Sequence, residues 1–387
     1  MTAHALALAP VALVASAGVP GLDEVSFFMG GLIVLLAVLF HCLPQVTRQD
    51  IFFSVTVDPA FRASDEARRI VRQFRAAIWT VAAIALAIDV AGAATQNEWA
   101  PQTGVFLQVL CMFPAFLRAR KQARAHAVAA ATQREATLAP RSKGGIAFVL
   151  LQLGPFAILA ACALYLKANW QRIPERFPVH WGTNGEPNGW STRSISGVYG
   201  PLFMALVLCV LLASFSYAIK VWTRHIWASG PRAQAESRFR HAQVGLLLLV
   251  QYFLVATLAG VPFLAPRPDV ARMPSPMSVI AGTFVFILAI IAVLIYTGQG
   301  GARLAKSAVA TASGATSAPV GDRTPDQCWK AGMFYVNPDD PAVFVEKRFG
   351  IGYTLNFARP AAWLLMGAVL AVALVTVVMG LLSSHSH

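Results

Sequence analysis

Long apolar runs divide this chain into eight candidate membrane spans. They cover approximately residues 25–43, 76–95, 102–117, 146–167, 198–219, 244–265, 277–297 and 361–382. A helix needs about 20 apolar residues to cross a hydrocarbon core about 30 Å thick. The third run is short at its apolar core and contains Pro114. Because backbone groups in lipid must be satisfied within a segment, and no alternating ten-residue pattern occurs, the runs predict helices.

The polar connections between these runs differ in charge. Connections 44–75, 118–145, 220–243 and 298–360 hold 25 of the 31 Lys and Arg residues, and the first 47 residues hold none. Cationic connections stay in the cytoplasm. The predicted fold class is therefore all-α: a polytopic protein of the bacterial plasma (inner) membrane with about eight transmembrane helices, N-out and C-out.

Composition agrees with this assignment. The chain is 57% hydrophobic and 13% charged, whereas soluble proteins carry about 25% charged residues. Its formal charge of +13 would otherwise suggest a nucleic-acid partner, but the topology explains it, and no such partner is predicted. The lipid bilayer is the expected partner, with anionic headgroups at the basic connections.

The spans and connections define seven regions. Residues 1–24 are predicted to be an unstructured or interfacial outer leader, with a cleaved signal as the alternative. The other regions follow in chain order: helices 1–3 with their basic loops at 25–145, a domain at 146–220 with an outer loop at 168–197, helices 6 and 7 at 221–297, a flexible Gly/Ala/Ser/Thr-rich linker at 298–327, an aromatic cytoplasmic motif at 328–360, and the last helix at 361–387.

The first basic connection ends in a predicted amphipathic helix. Ser64 is a candidate N-cap, with Asp65 and Glu66 in the first turn. Ile70, Val71 and Phe74 form its apolar face, and the arginines around them form a cationic face. One interpretation is a helix lying on anionic headgroups; the other is a docking surface for a cytoplasmic partner.

Polar residues inside the spans are few. Asp89 is the only carboxylate well inside one, where a charge costs about 2.5–3.5 kcal/mol. It is a candidate for proton or cation coupling, with a structural or interfacial use as the alternative. Gln152, Gln251 and Tyr252 are predicted to hydrogen-bond or pack between helices. A ridge of small residues on the second span predicts helix packing: Ala83, Ala87 and Ala91.

The outer loop between the fourth and fifth spans contains a distinctive motif, IPERFPVHWGTNGEPNGW, at residues 173–190. An extended, proline-stiffened strand is predicted up to Trp181, followed by tight turns at 184–185 and at 187–189. His180, near Glu175 and Glu186, could bind a ligand or sense protons, or could stabilise a turn; the spacing matches no zinc signature. The candidate ligand or sensing residues are Pro174, Glu175, Pro178, His180, Trp181, Gly185, Glu186, Gly189 and Trp190.

This loop resembles the extracytoplasmic loop of the SdpI-type family of bacterial membrane proteins, in which prolines, His, glycines and an aromatic residue fall in the same register. In that family the loop also lies between two membrane helices. The founding member protects its producer from a secreted peptide toxin and signals by holding a transcriptional repressor at the membrane. The resemblance implies a protein that senses or resists an extracellular peptide toxin or envelope stress, with an extracellular peptide ligand and a cytoplasmic regulator as partners. This chain departs from the founding member by extra helices at its front and by the C-terminal aromatic motif.

Residues 329–341 and 347–357 carry a second signature. They resemble a short domain of unknown function at the C-terminus of bacterial membrane proteins that carry the SdpI-type loop. Short strands around a turn at 337–341 are predicted, against the inner face of the membrane. The candidate residues of this cytoplasmic motif are Trp329, Asn337, Pro338, Asp339, Asp340, Pro341, Arg348, Gly350 and Asn356.

Motifs of catalysis do not occur in the sequence: there is no HExxH, GxSxG, Walker loop or GxGxxG. None of the five cysteines falls in a predicted outer loop or in a CxxC or Cys/His spacing. We therefore expect no enzyme activity, no disulfide framework, no metal and no cofactor. The alternative function is a small-solute or ion transporter that uses Asp89.

Overall fold

The computed structural model describes residues 24–95, 97, 99–130, 137–138, 146–181, 187–225, 230–266, 276–301, 303–304, 322 and 324–384. The described chain is mostly helical. Its α-helices are α1 (Glu24–Val46), α2 (Asp65–Ala94), α3 (Ala100–Ala123), α4 (Ile146–Ala168), α5 (Ile195–Trp222), α6 (Gly230–Leu264), α7 (Pro276–Thr297) and α8 (Pro360–Ser384). The predicted leader lies, except for Glu24, outside the described residues.

Seven of these helices, α1 to α7, are long and apolar enough to cross a membrane. In each of these helices, only 11% to 33% of the most apolar stretch is buried in protein. The remaining apolar surface of the helices faces outward and suits hydrocarbon. The protein is a multi-pass membrane protein whose helices contact the lipid bilayer. The described apolar stretch of α8, Pro360–Val375, is shorter, and the eighth span stays a prediction.

The chain folds as two compact units. The first combines residues 1–45 with 61–125, and the second combines 46–60 with 126–387. The first therefore holds α2, α3 and most of α1. The second holds α4 to α8 and all of the strands.

Helix α2 is one continuous helix of 30 residues, or about 45 Å. The predicted N-cap is confirmed, because the Ser64 hydroxyl accepts a hydrogen bond of 3.2 Å from the Ala67 N–H. Ile70 and Phe74 are buried as the amphipathic pattern predicts, whereas Val71 is half-buried. This segment is the beginning of the same helix that forms the apolar span. Its two interpretations, a helix on anionic headgroups or a docking surface, stay predictions.

The prediction that the alanine ridge of α2 packs against another helix is wrong. Ala83, Ala87 and Ala91 are exposed, and the helix packs through neighbouring small residues. Against α3 the backbones approach so closely that a Cβ on Gly104 would lie 2.8 Å from the Ala85 carbonyl oxygen. In the same unit the Gln108 side chain donates a hydrogen bond of 3.1 Å to the Ile33 carbonyl of α1.

In the second unit, α6 packs against both α4 and α5. Of the two roles expected for Gln152 and Gln251, hydrogen bonding between spans is the one observed, since the Gln152 amide donates to the Gln251 carboxamide oxygen at 2.8 Å. Helix α6 begins at Gly230, well before the predicted span at 244–265. Its first turns are polar yet carry buried residues, among them Glu236 and Arg240.

In the part of the chain that the structure describes, the strands form five separate antiparallel pairs. They are β1 (Ile51–Phe52) with β2 (Val55–Thr56), β3 (Thr137–Leu138) with β6 (Arg224–His225), β4 (Arg176–Trp181) with β5 (Pro187–Thr192), β7 (Trp329–Lys330) with β8 (Phe334–Tyr335), and β9 (Phe344–Glu346) with β10 (Tyr353–Leu355). The short strands predicted in the aromatic motif are thus confirmed, and they pair as two hairpins, β7–β8 and β9–β10, on the two sides of the predicted turn.

The predicted linker at 298–327 is packed at its described ends, and most of the rest lies outside the described residues. Gln299, Asp322 and Thr324 are buried. The folded part of the aromatic motif therefore begins at Asp322 rather than at Cys328.

Candidate functional site

Helix α5 joins two candidate sites. The β4–β5 hairpin leads into its first turn, where the Ser194 hydroxyl accepts a hydrogen bond of 3.0 Å from the Gly197 N–H. At its other end, Thr223 pairs with Phe344 of β9. With 28 residues, α5 separates the two sites by about 42 Å.

The β4–β5 hairpin is fixed to the helices by one buried side chain. Phe177 is buried in an apolar cluster with Leu166 of α4, Ile173 and Val198 of α5. The backbone of the adjacent loop is also tied down, because Arg193 donates a hydrogen bond of 3.0 Å to the Ile173 carbonyl. The hairpin is therefore seated on the ends of α4 and α5.

The register of the hairpin is irregular. Pro178 pairs with Trp190 and His180 with Gly189, with register shifts on both sides of His180. Bulges of this kind redirect side chains and are frequent next to functional sites. Residues 187–189 belong to β5, so the second predicted turn is wrong: these residues pair with β4. Gly185, Glu186 and the turn predicted at 184–185 lie outside the described residues.

The exposed face of the hairpin carries a cation and an aromatic ring. The Arg176 guanidinium carbon lies 5.2 Å from the centre of the Trp190 ring, and Trp190 is 39% exposed. Glu175 is exposed before the start of β4, and Pro174 and Pro178 are half-buried. Among the residues that the structure describes, no three His, Cys, Asp or Glu side chains come together as metal ligands. The face suits aromatic and cation–π contacts with a ligand.

At the other end of α5 lies a folded region that we call the polar module: residues 46–60, Thr223 to His225, 297–301, 322 and 324–359. Its centre is Arg348, which is 1% exposed. The guanidinium of Arg348 donates to both carboxylate oxygens of Asp322, at 2.6 and 3.0 Å. It also binds the carboxylate of Asp326 and the backbone carbonyl of Thr324. Burial alone would raise the pKa of Asp322, but Arg348 and Arg224 outweigh it and hold that pKa well below its usual range.

Arg224, the second buried guanidinium, follows directly on α5. It contacts Asp340 at 3.4 Å and the Asp322 backbone carbonyl at 3.2 Å. Asp340 in turn accepts a hydrogen bond of 3.0 Å from the Tyr335 hydroxyl. The end of α5 is thus tied into the same network as Arg348.

Asn356 holds the turn at 337–342. It is fully buried, its side-chain oxygen accepts a hydrogen bond from the Asn337 N–H at 3.0 Å, and its amide donates to the Asp340 and Ala342 carbonyls at 3.1 Å each. The turn residues Pro338, Asp339 and Pro341 are exposed. Trp329 joins this network, because its indole N–H donates a hydrogen bond of 3.2 Å to the Thr324 hydroxyl, which Arg348 also contacts. Five of the predicted motif residues therefore meet in one network: Trp329, Asn337, Asp340, Arg348 and Asn356.

The β1–β2 turn is held against this network in an unusual conformation. Phe53 and Ser54 have φ values of 44° and 64°, which non-glycine residues rarely adopt. Both are buried, the Ser54 carbonyl accepts a hydrogen bond of 3.4 Å from Arg348, and the Phe53 ring stacks on Phe349 at 5.8 Å. No local pattern indicates this contact, since 294 residues separate Ser54 from Arg348.

Two buried acids, Glu346 of β9 and Glu236 of α6, lie at the edge of the module. Glu346 of β9 packs so closely over the backbone of Gly300 that a Cβ there would lie 2.2 Å from its carboxylate oxygen. Gly300 has a φ of +55°, so a side chain at this position would also strain the backbone. Burial first, and the charge of Glu236 second, raise the pKa of Glu346 to about 7, against the opposing effect of Arg48 and Arg224. Glu346 therefore holds its proton more tightly than a free carboxylic acid does.

Asp89 lies in the other unit, on α2. It is 2% exposed, so it faces protein rather than lipid. Helix α1 approaches it at Gly30, where a Cβ would lie 3.1 Å from the Asp89 carboxylate oxygen. An alanine at position 30 would therefore crowd the acid.

Sequence reasoning missed Asp322, Arg224, Glu236 and Glu346. Asp322 stands in a stretch whose composition indicated a linker, and Arg224 counted only as one cation of a basic connection. The acids carry no local motif. The one local signal is that a carboxylate, Glu346, directly follows the apolar stretch Ala342–Val345, which indicates a buried acid.

Two family models match parts of the chain. A domain of unknown function (DUF1648), a membrane-associated family, matches residues 157–206, from α4 through the β4–β5 hairpin into α5. A family of unknown function (DUF5808) matches residues 338–363, which include Asp340, Arg348 and Asn356. Each match covers less than half of the chain. Comparisons with curated proteins and with solved structures found no significant match.

Proposed function

We propose that this protein is a non-catalytic, SdpI-like receptor or resistance protein of the bacterial plasma membrane. Its β4–β5 hairpin faces the outside and binds a peptide toxin or responds to envelope stress. Its polar module lies in the cytoplasm and docks a regulator.

The direct connection through α5 carries this proposal. Phe177 seats the hairpin on the first turns of α5, and Arg224 ties the end of the helix to Asp322 and Asp340. A rigid helix that is held by fixed contacts at both of its ends can transmit a displacement from one end to the other. The two family matches fall on these same two ends.

The distribution of charge supports the proposed orientation. The cations at the start of α2, the end of α3, the end of α5 and the start of α6 all belong to connections that we predict to be cytoplasmic: Arg68, Arg69, Arg72, Arg118, Arg120, Lys121, Lys220, Arg232, Arg238 and Arg240. Cationic ends of this kind remain on the inner side. The hairpin lies at the opposite end of α5 and therefore faces outside.

The surface chemistry of the hairpin supports a peptide ligand. Tryptophan and arginine dominate the binding energy of many protein interfaces, and Trp190 and Arg176 are exposed side by side. His180, with a register shift on each side, lies close to this pair along β4.

Resistance assays with hairpin variants test the proposal. Cells that carry the parent, His180→Ala, Trp190→Ala or the matched control Lys167→Gln are exposed to a cationic antimicrobial peptide, a bile salt and osmotic downshift. We expect the hairpin variants to lose protection against at least one challenge while their membrane amounts stay unchanged. Hairpin variants that behave like the parent under every challenge contradict the receptor function.

Thiol labelling tests the orientation separately. A cysteine introduced at position 180 should react with a membrane-impermeant maleimide in intact cells, because we place the hairpin outside. A cysteine introduced at position 339, an exposed site in the polar module, should react only after lysis. The reverse pattern contradicts the topology and the receptor function with it.

A small-solute or ion transporter is the second candidate, and the burial of Asp89 favours it. An acid kept inside a membrane protein and away from lipid is a functional candidate, because its burial is costly. In proteoliposomes, flux of a monovalent cation or proton should then be abolished by Asp89→Asn and retained by Asp65→Asn, whose carboxylate is exposed. Equal flux through both variants removes this candidate.

A further inference from the structure

A lateral groove of about 420 Å³ runs along the second half of α5. Phe156 of α4 and Leu365 of α8 form its flanks. Its floor consists of α5 side chains that include Val210, Ala213 and Tyr217, and Trp222 lies at its end. Since α4 and α5 both qualify as membrane spans, the groove opens where lipid is the solvent.

The length of the groove matches one leaflet. From Val210 to Trp222 the helix rises by about 18 Å. Half of a hydrocarbon core is about 15 Å thick. The groove therefore extends from the middle of the membrane to the headgroup level, which is the path of one acyl chain.

The lining offers hydrocarbon rather than polar contacts. The hydroxyl of Ser214 in the groove is already used, because it donates a hydrogen bond of 2.8 Å to the Val210 carbonyl in its own helix. The residues around it are alanines, a valine, a leucine and aromatic rings. A polar solute would lose its hydration here without replacement hydrogen bonds, whereas an acyl chain would not.

A cation, Lys220, lies two residues before Trp222 on α5, although it is not one of the residues that line the groove. Lys220 lies in the last turn of α5, between Tyr217 and Trp222, and its ammonium lies 3.1 Å from the centre of the Phe148 ring. Within the described residues no carboxylate forms an ion pair with Lys220. Tryptophan and tyrosine are typical of the headgroup level, and a cation there attracts anionic lipid.

We propose that this groove binds one phospholipid with an anionic headgroup. One acyl chain fills the groove from Trp222 to Val210, and the Lys220 ammonium binds the phosphate and headgroup charge. The site is independent of the ligand of the β4–β5 hairpin. Its occupant contacts α4, α5 and α8 together and would stabilise their packing.

Native mass spectrometry of the detergent-purified full chain tests this site. The protein is supplied with equal amounts of phosphatidylglycerol and phosphatidylethanolamine. We expect one retained phosphatidylglycerol on the parent. Ala213→Trp should abolish retention by filling the groove, whereas Ala161→Trp, at an exposed position of α4 outside the groove, should retain lipid like the parent. Lys220→Gln should lower the preference for phosphatidylglycerol about fivefold, the effect of one cation near an anionic surface, and Lys167→Gln should not.

A second measurement does not depend on the fold of the Ala213 variant. Phosphatidylglycerol with brominated acyl chains quenches tryptophans that it contacts. It should quench the parent more than Trp222→Phe, and brominated phosphatidylethanolamine should show a smaller difference. Equal quenching of parent and Trp222→Phe, equal retention of the two lipids by the parent, or parent-like retention by Ala213→Trp each overturns the proposal.

Discussion

The Tyr252 hydroxyl of α6 donates a hydrogen bond of 2.9 Å to the Leu151 carbonyl of α4. In an α-helix this carbonyl would accept a hydrogen bond from the residue four positions later, but that residue is Pro155, which has no N–H. Tyr252 therefore supplies from a neighbouring helix the donor that proline removed. It reaches the carbonyl over Gly154, where a Cβ would lie 1.9 Å from its oxygen.

We predict that Tyr252→Phe and Gly154→Ala both destabilise the second unit. Loss of the hydroxyl should cost about 0.6 kcal/mol, the average for hydrogen bonds between membrane helices, and at most about 1.7 kcal/mol. Gly154→Ala should cost more, because its methyl group overlaps the tyrosine. The measurement is thermal unfolding in detergent, monitored through the reaction of the buried Cys162 and Cys209 with a thiol-reactive dye as they become exposed.

Tyr296→Phe and Gly367→Ala are the matched controls. Tyr296 is 71% exposed, and no atom lies within 4 Å of a Cβ at Gly367. If Tyr252→Phe unfolds at the same temperature as Tyr296→Phe, the hydroxyl does not replace the missing N–H.

The buried ion pair of Arg348 predicts a strong effect of single substitutions. Arg348→Ala leaves Asp322 without its bidentate partner, and breaking a buried pair in this way costs about 3–5 kcal/mol. Arg348→Lys should also destabilise, because an ammonium cannot bind both carboxylate oxygens as a guanidinium does. Faster proteolysis within 322–359 would report the loss, with exposed Lys330→Gln as the control. A protease pattern like that of the parent would show that the module does not depend on this pair.

The raised pKa of Glu346 leads us to predict that the polar module loses stability as pH rises. Its pKa is raised to about 7 in the folded chain, from 4.5, so the folded state binds a proton more tightly than the unfolded state. The stabilisation is complete below the unfolded pKa and is lost as pH rises through the folded pKa. The loss between pH 5 and 8 should reach up to about 3 kcal/mol.

Proteolysis of the module at a series of pH values measures this dependence. Glu346→Gln imitates the protonated acid and should flatten the profile, whereas exposed Asp339→Asn should leave it unchanged. A profile of Glu346→Gln that is as steep as that of the parent would assign the pH dependence to another group.

Because Phe177 packs the β4–β5 hairpin against the helices, we predict that Phe177→Ala destabilises this hairpin locally. The buried ring fixes the hairpin to α4 and α5, and its removal should cost about 3–5 kcal/mol. We expect faster cleavage by an added protease within 170–193 at unchanged helix content by circular dichroism. Val149→Ala, at an exposed position of α4, is the control. Cleavage as slow as in the parent would mean that other contacts hold the hairpin.

Local patterns allowed the helices and several details to be predicted from the sequence. The Ser64 cap needed only a hydroxyl three residues before the N–H that it binds. The strand up to Trp181 and the short strands of the aromatic motif also follow from neighbouring residues. The turn predicted at 187–189 failed because pairing with β4 extends those residues in spite of their turn-forming side chains.

The buried polar network could not be predicted in this way. Asp322 and Arg348 are 26 residues apart, Arg224 and Asp340 are 116 apart, and Ser54 and Arg348 are 294 apart. Each of these side chains, taken alone, is an ordinary polar residue of a connection. Which acid neutralises which guanidinium depends on how the helices bring their ends together.

The sequence by itself therefore determined that this chain crosses a membrane repeatedly, because hydrocarbon demands a minimum apolar length and internally satisfied backbone groups. Only the tertiary structure decided which polar side chains meet, that α5 connects the hairpin to the Arg348 network, and where a lateral groove opens beside α5. Those features depend on the approach of segments distant in sequence, and no local pattern encodes that approach.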